Sequence, residues 1–121
     1  MAVFRALSGG GNSPLPYTKS GEFTCTGSGA TITDIGFLPS MFIAWRKDET
    51  DTSSGSPFYL IYAKDTDSSQ SDVHHYLWWR ADVSAWYWYG DLPITNTTIG
   101  QFVIGNMGGS GSCTMCYLAV E

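Results

Sequence analysis

Charge is what this sequence has least of. Asp, Glu, Lys and Arg supply 14% of its 121 residues, where ordinary soluble chains carry about 25%. The charges present lean acidic, 11 Asp and Glu against 6 Lys and Arg, for a net charge of -5. A protein that grips a phosphate backbone needs a basic patch, so nucleic acid is not an expected partner. Cysteine is scarce and odd in number: Cys25, Cys113 and Cys116. Three thiols cannot close a disulfide framework among themselves, and reduced thiols are the expectation. No apolar run approaches the roughly 20 residues of a membrane span, so membrane insertion is not expected. Met1 to Leu7 lacks the apolar stretch of a secretory signal, which points to synthesis in the cytoplasm without a signal peptide. Helix signals are missing too, because no window repeats apolar residues at spacings of three and four between caps.

What is abundant is aromatic and small polar. The chain is 43% hydrophobic and 15% aromatic, with 5 Trp, 7 Tyr and 6 Phe, the opposite of the composition that keeps a chain disordered. Its 14 Ser and 12 Thr stand in for the missing charge. A chain this long buries about two thirds of its surface without metal or disulfide staples. One domain, 1–121, is expected.

Strand-like runs follow one another along the chain, separated by turn chemistry. Ala2 to Leu7 reads as a short edge strand, and residues 8–16, rich in Gly and Pro, as a loop or linker. Glu22 to Thr26 and Ala30 to Thr33 alternate with period two around Gly27-Ser28-Gly29, which predicts a hairpin. Met41 to Trp45 is almost continuously apolar, as in a central strand buried on both faces. Arg46 to Ser56 reads as a polar loop, Phe58 to Tyr62 as the next strand, and Asp65 to Asp72 as a second polar loop. Val73 to Arg80 and Ser84 to Tyr89 flank a spacer short enough for a hairpin. Gln101 to Ile104, a glycine-rich turn, and Met115 to Val120 complete the chain. Eight or so short strands at this spacing indicate an all-β fold, a single antiparallel β-sandwich of jelly-roll-like kind with little or no helix.

Sites of chemistry are hard to find. Cys113-x-x-Cys116 invites a zinc or redox reading, with Cys25, His74 and His75 as the other soft donors. Strand parity works against it. Cys113 and Cys116 fall on opposite faces of a strand, as do His74 and His75, and nothing after Cys116 is helical as a redox pair requires. Asp48-Glu49-Thr50-Asp51 and Asp65-Thr66-Asp67 do not match a calcium loop and sit in polar surroundings unsuited to a raised carboxyl pKa. Gly27-Ser28-Gly29 and Gly109-Ser110-Gly111 lack the strand-to-helix turn of a nucleophile elbow. The expectation is no enzyme, no metal and no cofactor.

The distinctive feature is the second hairpin, with Tyr76, Trp78 and Trp79 on one arm and Trp86, Tyr87, Trp88 and Tyr89 on the other. Alternation puts Trp86 and Trp88 on one face of the sheet and Tyr87 and Tyr89 on the other. One face can be core, and the other must meet a second layer, a neighbouring subunit or a ligand. Tyr76, Trp78, Trp79, Trp86 and Trp88 are therefore the candidate binding residues, for a subunit interface first and a glycan second.

Phe23-Thr24-Cys25-Thr26-Gly27-Ser28-Gly29 followed by Gly36-Phe37-Leu38-Pro39-Ser40-Met41-Phe42-Ile43-Ala44-Trp45-Arg46, and later Gln101-Phe102-Val103-Ile104-Gly105 with Tyr117-Leu118-Ala119-Val120, form a pattern. It resembles a recurrent β-sandwich domain of bacteriophage structural proteins, found in tail fibres, tail tips and head appendages. The resemblance implies a virion component without enzymatic activity, commonly trimeric, that contacts other virion proteins or the host surface. Cys113 and Cys116 stand where that family carries aromatic or aliphatic residues. The aromatic hairpin has no counterpart in the pattern. The first expectation is thus a phage-type assembly subunit located in the virion, and the second a carbohydrate-binding module.

Overall fold

The computed structural model describes residues 17–48, 56–65, 72–80 and 83–121. The first edge strand expected at Ala2 to Leu7, the 8–16 loop and most of both acidic loops lie outside them. Within them the chain is all β and antiparallel, a β-sandwich with no helix. The strands are β1 (Thr18–Thr26), β2 (Ala30–Ile32), β3 (Met41–Arg46), β4 (Tyr59–Ala63), β5 (Val73–Arg80), β6 (Ala85–Tyr89), β7 (Ile94–Thr95), β8 (Phe102–Ile104) and β9 (Ser112–Val120). Six form one sheet in the order β1-β9-β3-β4-β5-β6, and three form the other in the order β2-β8-β7. The layers are unequal.

The sheets meet through the alternation the sequence encodes. Phe42 and Ala44 of β3, Leu60 and Tyr62 of β4, and Met115, Tyr117 and Ala119 of β9 turn inward and are buried. The small sheet returns Ile32, Phe102 and Ile104. Phe42 is the hub, stacking on Phe102 at 4.4 Å between ring centroids and on Tyr117 at 5.5 Å. Each such buried ring contributes on the order of 2–3 kcal/mol through removal from water. Tyr117 reaches from the core to the half-exposed carboxylate of Asp34, its hydroxyl donating to Asp34 Oδ1 at 2.8 Å. Lys19 approaches the other oxygen of that carboxylate at 3.7 Å.

Two expectations need correction. β1 and β2 are not the arms of a hairpin in one sheet: β1 pairs along its whole length with β9, and β2 pairs with β8. The Gly27-Ser28-Gly29 turn instead carries the chain from one layer to the other, closed by a single bridge between Thr26 and Gly29. Nine paired residues on β9 offer β1 far more than three on β2 could. The turn packs on the second glycine loop, with Gly27 donating to Gly111 O at 3.1 Å and Met107 donating to Gly27 O at 2.7 Å. In the second correction, β3 is central but covered on one side only. Phe42, Ala44 and Arg46 are buried, whereas Met41, Ile43 and Trp45 are partly exposed.

The aromatic hairpin forms as expected, β5 pairing β6 with Tyr76 opposite Tyr89 and Trp79 opposite Trp86. The closing strand begins earlier than its apolar run, because β9 extends back to Ser112 to match β1.

Candidate functional site

Strand register assembles a broad apolar surface on the face of the large sheet that points away from the small one. Its first row runs Val120, Met41, Ala63, Val73 and its second Leu118, Ile43, Ile61, His75. The third runs Cys116, Trp45, Tyr59, Leu77, Trp88, and Trp79 beside Trp86 closes the end. Only His75 interrupts it with a titratable nitrogen. None of these side chains belongs to the buried core cluster, and no described element covers them. Along its β1 edge the surface turns polar, with Thr18, Ser20, Glu22 and Thr24 opposite Val120, Leu118, Cys116 and Thr114.

The five aromatic residues singled out from sequence do not form one platform. Tyr76 is buried, with its ring 5.1 Å from Tyr89 and 5.8 Å from Trp78. It belongs to the inner layer, and burial, with Asp91 and Tyr89 adding to it, pushes its phenol pKa up. Trp78 packs against the core on the same side. Trp79, Trp86 and Trp88 lie on the outer face, Trp88 being 53% exposed and Trp86 38%. Phe58 and Tyr59 join them: Trp86 is 4.8 Å from Phe58 and 5.0 Å from Trp79, and Tyr59 stacks on Trp88 at 6.5 Å. The outer cluster is thus Phe58, Tyr59, Trp79, Trp86 and Trp88, continuous with the apolar rows. Period-two spacing already placed Trp86 and Trp88 together; which strand neighbours Tyr59 had to come from the register.

Arg46 escaped the sequence reading, which ended the strand before it. It is the last residue of β3, and alternation with Phe42 and Ala44 turns it inward to 1% exposure. Its Nε donates to Pro57 O at 3.0 Å, and Nη2 donates to Ser56 O at 2.7 Å and Ser56 Oγ at 2.8 Å. The Phe58 ring lies 5.8 Å from the guanidinium carbon. A buried cation needs such partners to offset lost hydration. Arg46 therefore ties the Ser56–Phe58 segment to the sheet and seats Phe58 beside Trp86. An open depression of about 440 Å³ lies here, lined by Arg46, Lys47, Asp48, Cys113 and Thr114.

A second depression of about 420 Å³ is lined by Tyr62, Lys64, Asp72, His74 and residues of the β7 segment. Tyr62 donates to Asp72 Oδ2 at 3.4 Å and accepts from Asn96 Nδ2 at 3.2 Å. Burial raises the Tyr62 pKa, the Asn96 hydrogen bond opposes that, and Asp72 adds to it. As parity required, His74 pairs with Tyr62 on the inner side and His75 with Ile61 on the outer. Cys113 and Cys116 are likewise divided, Cys113 packing against the core and Cys116 opposite Glu22 and Trp45. Among the described residues no group of three or more His, Cys, Asp or Glu side chains gathers to hold a metal ion.

Comparison with family models, with curated proteins and with solved structures gave no match.

Proposed function

We propose that this chain is a non-enzymatic assembly subunit of the phage-virion type, building a tail or head appendage by self-association and contact with other virion proteins or the host surface. The observation that carries the reading is the apolar outer face of the large sheet, which no described element covers. Five strands at about 4.8 Å spacing, with six residues at about 3.3 Å each, give a footprint of roughly 500 Å². That is as large as the largest apolar patch of an ordinary monomer, yet short of the roughly 800 Å² per partner of a stable complex. A stable assembly on this face therefore draws in the polar row of β1 as a rim, or engages more than one neighbour, as a ring of three does. Scarce charge fits both, because charged groups would have to be desolvated wherever copies dock.

Light scattering on the wild-type chain and on the double variant Ile43→Thr, Leu118→Thr tests the reading. The substitutions keep β-branched strand formers at Ile43 and supply one at Leu118 while removing apolar area. The wild type is expected as an oligomer, with a trimer foremost, and the variant as a monomer of unchanged circular dichroism. A wild-type monomer would refute the assembly role. The exposure of Trp88 and Trp86 supports a second reading, a carbohydrate-binding edge on β6; a monomer whose tryptophan fluorescence shifts with added glycan would establish it instead.

A further inference from the structure

We propose that Cys25 and Cys113 are a cross-strand thiol pair that closes to a disulfide when the chain meets a low-molecular-weight disulfide oxidant, fastening edge strand β1 to β9. The inference is independent of the assembly reading. It starts from register: Cys25 and Cys113 are directly opposite in the β1/β9 ladder, so their side chains leave the sheet on the same side. The Gly27 to Gly111 hydrogen bond at 3.1 Å, two residues along, marks the Cys25–Cys113 position as a hydrogen-bonded pair. Such pairs hold their Cα atoms about 5.5 Å apart, at the commonest Cα separation of a disulfide. Both thiols are free, and each donates weakly to a carbonyl, Cys25 to Thr26 O and Cys113 to Pro57 O. Nothing strong has to break for the sulfurs to turn toward each other.

Exposure sets the order of events. Cys25 is fully buried, whereas Cys113 is partly exposed and lines the depression beside Arg46. Burial, with Cys113 adding and Arg46 opposing, pushes the Cys25 thiol up to about 12, so Cys25 is not the group that meets the oxidant first. The Cys113 thiolate attacks one sulfur of the oxidant, cleaving its S–S bond, releasing one thiol and leaving a mixed disulfide on Cys113. Cys25 then loses its proton to solvent and attacks Cys113 Sγ, expelling the second thiol. Two protein thiols are oxidised by two electrons, and one oxidant disulfide is reduced to two thiols. Cys116 takes no part, being on the other face of β9 opposite Glu22 and Trp45.

The test is incubation of the folded 121-residue chain with oxidised glutathione, read by intact mass, peptide mapping and thermal unfolding. The Cys116→Ser variant is expected to lose two hydrogens, to yield a single Cys25–Cys113 linked peptide, and to gain about 5 °C or more in midpoint because a loop of roughly 90 residues is closed. Cys113→Ser is expected to show neither the linkage nor the shift. In Cys25→Ser the glutathione adduct should stay on Cys113. Stable glutathione on Cys113 of the Cys116→Ser variant, with Cys25 still a free thiol in the folded chain, would overturn the proposal. So would a Cys113–Cys116 or intermolecular link as the main product of the wild type.

Discussion

At the scale of single residues, the interior of this sandwich holds more polar chemistry than its composition suggests. Cys25, Tyr62, Tyr76 and Tyr117 are all held protonated by burial, and each pKa stands above its ordinary value. For an acid whose folded pKa is raised, the folded state keeps its proton while the unfolded chain releases one. The corresponding stability is complete below the unfolded pKa and is lost as pH climbs toward the folded one. For Cys25 that window runs from 9.0 to about 12. Urea unfolding with a reductant present should therefore show stability falling above pH 9, more steeply once the tyrosines join. The deficit of Cys25→Ala relative to wild type should shrink by about 2 kcal/mol between pH 8.5 and 11. A deficit that stays constant over that range would mean Cys25 does not titrate abnormally.

At the scale of elements, the junction between the layers is a contact of two glycine loops. A Cβ on Gly27 would lie 2.0 Å from the backbone of Gly109, whereas one on Gly36 would meet nothing within 4 Å. The clash at Gly27 is with backbone, which cannot rotate aside. Gly27→Ala should destabilise the chain by about 2 kcal/mol or more, and Gly36→Ala by less than about 0.5 kcal/mol, in denaturant unfolding. Equal effects would show that the two turns do not lock together. The same junction explains why the expected hairpin of β1 and β2 fails to form as one: Gly29, at φ 106°, redirects the strand into the small sheet. Local alternation on both sides of a turn reads as a hairpin whichever layer each arm enters. The β5–β6 hairpin was legible because its two arms do pair with each other.

At the scale of the whole molecule, the unequal layers decide which face of the large sheet the small sheet packs on. Three short strands pack on part of the inner side of six, leaving Tyr87 of β6 41% exposed there, and no described element covers the apolar rows on the outer side. If copies of the chain dock there, association and folding are linked by mass action. The thermal midpoint should then rise with protein concentration, by several degrees over a hundredfold range, and the Ile43→Thr, Leu118→Thr variant should lose that dependence. A midpoint independent of concentration in the wild type would place the face among surfaces that do not self-associate.

Period-two alternation, turn residues and the absence of helical spacing were enough to determine an all-β sandwich, the positions of β3, β4, β5 and β8, and the opposed directions of Trp86 and Tyr87, of His74 and His75, and of Cys113 and Cys116. Those are local properties, because side-chain direction in a strand depends only on parity. Which strands are neighbours is not local. The partnering of β1 with β9, and with it the apposition of Cys25 to Cys113 across most of the chain, depends on pairing energies summed over nine residues. From sequence, Tyr76, Trp78, Trp79, Trp86 and Trp88 stand as one set. Parity divides Tyr76 and Trp78 from Trp79, but that Trp79 shares a face with Trp86 and Trp88 depended on the β5/β6 register, and which face the small sheet packs on depended on the layers. A continuous apolar run such as Met41 to Trp45 reads the same whether both faces are buried by its own fold or one is kept for another chain. Only the packing of a three-stranded layer on one side settled which face of the large sheet carries the apolar rows that no described element covers.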